Sequence, residues 1–293
     1  MAEAKNSLVK NKKVSFTAHL SNDAVKRQIN EVVGGQNGQR FIASIVSAVN
    51  NNPALQECSN NSILSAALLG ESLNLSPSPQ LGHYYIVPFN DKAKGKVGQF
   101  QMGYKGLIQL AIRSGQYKKL NVVAIKEGEL VRYDPLNEEI EVNLIEDEAV
   151  REATPTAGYY AFFEYTNGFK KALYWSKEKM EAHAKKYSQG YAKDIEKGTN
   201  WTFWSRDFDS MAYKTMLRQL ISKWGILSIE MQTAIDSDMA VINDDGSKDY
   251  VEMEEAEIVE SVSHETSEET KEEPKEEPKA DENKNEIAAA LFN

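Results

Sequence analysis

The sequence predicts an α+β protein: a helical N-terminal part packed on a small antiparallel sheet and β-hairpin core with backing helices, followed by a disordered acidic C-terminal tail. Three observations carry the prediction. Apolar residues recur at helical spacing up to about residue 75. From Tyr84 they fall instead in short aromatic and β-branched runs joined by Gly and Asn turns. Beyond Asp236 acidic residues crowd together and large apolar ones thin out.

Residues 1–20, polar and without period, are expected to be disordered. Residues 21–240 form one folded body, helical over 21–75 and α+β over 76–240, and 241–293 form the tail. Ser21 or Asn22 caps a helix through Ile29, and Gly34-Gly35 breaks it. Phe41, Ile42, Ile45, Val46 and Val49 place a second helix over 39–49. Asn50, Asn51 and Asn52 stop it, and Pro53 opens a short helix at its first turn, where its missing N–H costs nothing. Residues 62–73 are apolar almost all round, which predicts a central, buried helix.

Strands at 84–89 and 97–102 flank a turn bearing Lys92, Lys94 and Lys96. A third strand covers 120–126, a hairpin pairs 130–133 with 139–144 around Asp134-Pro135, and 146–152 form an acidic surface loop. Strands 158–165 and 169–175 are joined by Thr166-Asn167-Gly168, and Asn-Gly between apolar runs is a strong hairpin signal. Ser176 caps a helix ending near Tyr187. Residues 188–206 form a polar loop with Trp201, Trp204 and Arg206. A long helix spans 207–224 up to Gly225, and a short one over 228–239 closes the body. The last apolar edge, 286–292, suits a short docking helix or no more than a frayed end.

The chain has 293 residues and a net charge of −10, but the charge is unevenly placed. From Asp236 to the end stand 20 Asp and Glu against 5 Lys; the remainder holds 29 Lys and Arg against 24 Asp and Glu. A mildly basic body with a strongly acidic tail suits polyanion binding, the tail competing for the same surface or recruiting partners. A purely solubilising tail accounts for the composition equally well. The single cysteine, Cys58, rules out an internal disulfide and fits a reducing cytoplasm. No run approaches the ~18–20 apolar residues of a membrane span, and no apolar leader stands near Met1, so neither membrane insertion nor export is expected.

The stretch from 100 to 119, FQMGYKGLIQLAIRSGQYKK, concentrates the candidate binding groups. It begins as a strand, turns at Gly103 and continues as a short amphipathic helix ending near Gly115. On a helical wheel Gln109 and Arg113 fall within ~80° of Lys105, with Leu107, Ile108, Leu110 and Ala111 opposite. Gly106 lies beside the polar arc, where a missing side chain would let a phosphate or sugar approach. Tyr117, Lys118 and Lys119 follow, and Gln101 and Tyr104 flank the turn. In the long helix Arg218 and Ser222 lie within ~80° of Lys214, with Lys223 near the end. Two helices with the same cationic spacing, paired, would wall a groove. Trp204 and Arg206 join the candidates; Trp175 and Trp224 are expected to pack.

Enzyme signatures are missing. Gly34-Gly35-Gln36-Asn37-Gly38 is not a phosphate loop, since no Lys-Ser or Lys-Thr follows at the required spacing. His19, His83, His183 and His264 are scattered, which argues against a zinc site. No Gly-x-Ser-x-Gly occurs. Clustered carboxylates such as Glu138, Glu139 and Glu141 leave a magnesium-dependent nuclease open as an alternative, and solvated strand edges explain them better. A scaffold with an incidental basic face is the remaining alternative. Cations interleaved with aromatics and amides favour a nucleic-acid backbone: Lys and Arg meet phosphates, and aromatic faces stack on single-stranded bases without reading sequence.

The runs LGHYYIVPF, GQFQMGYKGLIQLAIRSGQYKKLNVVAIKEGEL and KTMLRQLISKWGILSIEMQTA closely resemble the RecT family of phage and prophage single-strand annealing proteins, over roughly residues 60–238. The resemblance implies ATP-independent binding of single-stranded DNA and its annealing to a complementary strand in homologous recombination. It further implies assembly into rings or helical filaments, work beside a phage exonuclease, a core similar to that of Red beta, and a place in the bacterial cytoplasm. It implies no catalytic residue and no cofactor, with Mg2+ entering only as a modulator of annealing. It places Tyr104, Lys105, Gln109, Arg113, Tyr117 and Lys118 at the DNA, with Lys214, Arg218 and Lys223 from the later motif. The tail lies outside the match; by analogy it contacts host single-strand-binding protein or the exonuclease. A plain single-strand-binding protein that protects without annealing is the alternative within the same class.

Overall fold

Short polar caps set the N-terminal helices. The computed structural model describes residues 14–250 apart from Lys92. Ser15 accepts from the Ala18 N–H at 3.2 Å and starts α1 (Phe16–Leu20), and Asn22 accepts from the Ala24 N–H at 2.9 Å and starts α2 (Asp23–Val33). Residues 16–20 are therefore helical where disorder was expected. One turn is too short to show a period, but Phe16 and Leu20, four apart, both enter the core. The expected disorder of 1–13 and the docking edge at 286–292 lie outside the described residues.

Gly34, at φ 76°, separates α2 from α3 (Gly35–Asn50). Pro53 opens α4 (Pro53–Glu57), and α5 (Asn60–Ser72) is buried along Ile63, Leu64, Ala66, Ala67 and Leu68, as a helix apolar all round requires. Against it lies a four-stranded antiparallel sheet. Its first hairpin pairs β1 (Tyr84–Asp91) with β2 (Gly95–Met102), in register from Tyr84 opposite Met102 to Asp91 opposite Gly95.

After α6 (Tyr104–Arg113) comes the long strand β3 (Tyr117–Lys126), then the separate hairpin β4 (Leu130–Asp134) and β5 (Glu139–Val142). The expected acidic loop at 146–152 contains a helix instead, α7 (Glu148–Ala153), because Asp147 caps it on the Val150 N–H. Strands β6 (Thr156–Tyr165) and β7 (Lys170–Ser176) complete a second sheet of order β3-β6-β7. Ser176 caps α8 (Lys177–Tyr187) as expected.

The presumed loop at 188–206 holds two more helices, α9 (Gln189–Lys197) and α10 (Phe203–Arg206). Ser188 caps the first, and Gly198 at φ 63° ends it. Asp194 turns inward and accepts from Thr199, Trp201, Thr202 and Ser205. Those bonds hold its carboxyl well below the usual carboxylate range against the opposing effect of burial. The polar composition that suggested a loop is thus consumed locally.

The long helix α11 (Phe208–Trp224) runs between two cores. Leu217 and Ile221 join Ile45, Ile63, Tyr84, Phe100 and Leu107 beneath the first sheet. Ala212, Met216 and Leu220 join Tyr159, Phe163 and Met180 beneath the second. After α12 (Ile229–Ser237) the chain returns to the first sheet as β8 (Ala240–Ile242) beside β2, and β9 (Lys248–Tyr250) forms the edge, giving the order β1-β2-β8-β9. The folded body therefore runs ten residues beyond the boundary expected at 240. Val241 and Ile242 are buried, and Asn243 to Gly246 make the turn that a charge count reads as tail.

Candidate nucleic-acid interface

Helix α6 meets the expectation at its start. Lys105 and Gln109 are exposed, and Leu107, Leu110 and Ala111 are buried on the opposite side. The backbone turns at Gly103, whose N–H donates to the His83 carbonyl at 2.9 Å. Gly106 does not face an open surface: a Cβ there would overlap that same carbonyl oxygen. Its missing side chain lets α6 sit on the start of β1, which corrects its expected role as a point of phosphate approach.

Around Lys105 stand, besides Tyr104, residues that no sequence pattern singled out. A Cβ at Gly82 would lie 3.1 Å from the Tyr85 hydroxyl and 3.4 Å from the Lys105 side chain, so both groups flank that bare backbone. Tyr85 contacts Phe203 of α10 with centroids 5.8 Å apart, and Tyr104 meets Tyr213 of α11 edge-on at 5.7 Å. Burial and then the Asp207 carboxylate raise the pKa of both Tyr85 and Tyr104, keeping the phenols neutral. His83 Nδ1 accepts from the Ser76 N–H at 3.3 Å. Burial, then the charges of Arg113 and Lys105, lowers its pKa. The aromatic partners were hidden because Tyr85 and Phe203 lie far apart in the chain.

A second cationic group surrounds a buried carboxylate. The β3–β6 ladder passes from Tyr117 opposite Tyr165 directly to Lys119 opposite Glu164, so Lys118 is an extra residue, a β-bulge. Neither lysine is lost to the opposite face of the sheet by simple alternation. Lys118 Nζ lies 2.7 Å from Glu164, and Lys119 and Lys170 each lie 4.0 Å away. Glu164 is 7% exposed while the three lysines are 58–66% exposed. The hydrogen bond from Lys118, with the charges of Lys118, Lys170 and Lys119, holds Glu164 below the usual carboxylate range. One carboxylate thus gathers three ammonium groups and leaves positive charge in excess. Lys170 stands two residues after the Asn-Gly turn, but only register shows where it goes. Tyr117 is half-buried and packs edge-on against Phe163 and Tyr165.

Other expected contacts serve the fold. Lys214 is 8% exposed, and its Nζ lies 2.9 Å from Asp238; Arg218 binds the other oxygen of the same carboxylate. Asp238 also accepts from the Met102 N–H at 2.9 Å, which ties α11 and the end of α12 to β2. The expected groove wall made by matched basic faces on the two helices is therefore not formed: α6 and α11 do pack together, but Lys214 and Arg218 of α11 are engaged by Asp238. Arg113 donates to the carbonyls of Leu73 and Asn74 at 2.6 and 3.0 Å, closing the C-terminal end of α5. Trp204 is buried against Tyr191 and Phe208. Arg206 donates to the Asn200 carbonyl at 2.9 Å, and Gln101 to the Gln99 side chain at 2.9 Å. At the hairpin tip Lys94 binds Asp249 and Asn243, and Lys96 binds Glu57. Lys92 lies outside the described residues. Lys223 is exposed in the last turn of α11.

Among the described residues no cluster of three or more His, Cys, Asp or Glu has the geometry to hold a metal ion, and no helix there is long and apolar enough to cross a membrane.

A profile of the RecT family matches residues 39–252. The chain is 40% identical over 261 residues to an uncharacterized protein, YqaK, of Bacillus subtilis (strain 168), covering 88% of this chain and 83% of that one. It is 30% identical over 204 residues to the protein RecT of Escherichia coli (strain K12), covering 68% of this chain and 71% of that one. The matched span takes in both sheets, α6, α11 and the two lysine groups. The chain belongs to the RecT family, whose members serve DNA recombination by binding and annealing single-stranded DNA.

Proposed function

We propose that the protein holds single-stranded DNA by its backbone, polymerises along it and pairs it with a complementary strand without ATP. The observation that supports this best is the division of labour among the cations. Lys105, beside the Tyr85–Phe203 and Tyr104–Tyr213 contacts, and the exposed lysines gathered on Glu164 remain available to phosphate. Lys214 and Arg218 are spent on Asp238. Lys105, Gln109, Lys118, Lys119 and Lys223 are the proposed contacts, with Tyr85 and Tyr104 offering faces to sugars or bases. Residues 14–250 form the annealing body, and the phage exonuclease and host single-strand-binding protein are its proposed partners.

An annealing protein must leave base edges free, so contacts to phosphate and sugar are the useful kind. Pairing then supplies the driving force, with stacking contributing ~1.4 kcal/mol per base-pair step. A small basic excess per subunit suits a polymer in which weak sites add along the strand. Electron microscopy of the protein mixed with one oligonucleotide and then its complement tests the reading. Rings or filaments that retain both strands are expected, and free duplex beside unassembled protein would overturn it.

A further inference from the structure

The end of the second sheet carries a surface of which the DNA reading uses only the lysines. The bulged start of β3, the β6–β7 turn and the segment after α11 meet there, tied by Tyr165. Its hydroxyl donates to the Trp224 carbonyl at 3.2 Å and accepts from the Ile226 N–H. Its ring stacks on Phe169 at 5.8 Å and meets Tyr117 edge-on at 5.0 Å. Lys171 Nζ lies 3.8 Å above the Trp224 ring and also binds Glu138. Lys118, Lys119 and Lys170 gather on Glu164 at the same sheet end but on its other face, because Glu164 alternates with Tyr165 along β6. Phe169, Trp224, Ile226 and Leu227 are exposed, and Ile229 is 83% exposed. A large uncovered apolar patch rimmed by charge marks an interaction site, and a phosphate backbone makes no use of Ile226, Leu227 or Ile229.

We propose that this surface docks the chain's own segment 251–262. The segment lies outside the described residues, but its sequence and starting point are known. It reads VEMEEAEIVESV, five glutamates interleaved with Val251, Met253, Ile258, Val259 and Val262. That pattern complements a sheet end with aromatic and aliphatic side chains on one face and lysines on the other. The described chain stops at Tyr250, whose hydroxyl donates to the Asp236 carbonyl near the end of α12. Ile229, three residues beyond Ile226, begins that helix, and its nine residues span only ~13 Å at 1.5 Å each. Twelve extended residues reach ~40 Å, well beyond the length of that helix. Resting on the DNA reading, docking also places its glutamates on Lys118 and Lys119, so the segment and single-stranded DNA compete.

Zero-length carbodiimide cross-linking of the full chain without DNA, followed by peptide mapping of the monomer-sized product, tests docking independently of any DNA activity. Bonds from Lys118, Lys119, Lys170 or Lys223 to Glu252, Glu254, Glu255, Glu257 or Glu260 are expected, and they should fall when Trp224→Ser and Ile226→Ser are introduced together in a chain that still unfolds cooperatively. Absence of those bonds, or their presence only in dimer-sized product, overturns the proposal. Changing all five glutamates to Gln in the full chain should also tighten oligothymidylate binding about threefold or more at low salt, with the gain lost at high salt where such charges are screened. An unchanged affinity would remove the competition.

Discussion

Lys105 and Lys214 each begin a polar, cation-bearing face of four-residue spacing on neighbouring helices, yet one faces solvent and the other reaches Asp238. Lys105→Ala should therefore lower the salt slope of single-strand binding by ~0.7, the share of one phosphate contact, and leave the unfolding midpoint unchanged. Salt titration of oligothymidylate binding reads the first, and denaturant unfolding the second. Asp238→Ala should do the converse. It strands Lys214 and Arg218 and frees the Met102 N–H, and breaking such a buried pair costs about 3–5 kcal/mol, read as a fall in the denaturant midpoint. His83 gives a pH signature. Its folded pKa is lowered from an ordinary value near ~6.5, so the unfolded chain takes up the proton first as pH falls. Its contribution to stability is complete above that value and declines as pH drops toward the lowered one. His83→Asn, which keeps an acceptor for Ser76, should unfold with less acid sensitivity across that window.

At the scale of elements, α11 decides the architecture because it faces both cores. Leu217→Ala should cost about 2–5 kcal/mol and lower thermal stability as one transition. The edge strand β9 makes a second case. Ending the chain after Asp244 removes the β8–β9 ladder and the Lys94–Asp249 pair, so thermal unfolding should occur at lower temperature than for a chain ended after Tyr250, which keeps both. The central helix α5, the β1–β2 and β6–β7 hairpins, and the caps at Asn22 and Ser176 were legible in the sequence, because period and turn chemistry are local. Helices α7 and α9 were not, because their faces are too polar or too short to show a period and their caps are single residues. The bulge at Lys118 was equally hidden, since only pairing with β6 reveals the extra residue. Gly106 and Lys214 were misread for one reason: a helical wheel shows which residues share a face, not what covers it.

Across the whole molecule charge is sorted rather than merely summed. The net of −10 conceals a basic body whose cations divide between structural pairs and exposed clusters, and that division was invisible until the partners Asp238, Glu164 and the Leu73 and Asn74 carbonyls were placed. The family was legible from long motif runs, whereas the aromatic surroundings of Lys105 needed the fold to bring β1 and α10 together. The central claim is that the exposed cations hold single strands for pairing and need no nucleotide. Its most direct measurement is the annealing rate of two complementary oligonucleotides carrying a fluorophore and a quencher, with protein and without ATP. Annealing faster than in the protein-free mixture, slowed by combined Lys105→Ala and Lys119→Ala, is the predicted result; a rate equal to that of the protein-free mixture would contradict it.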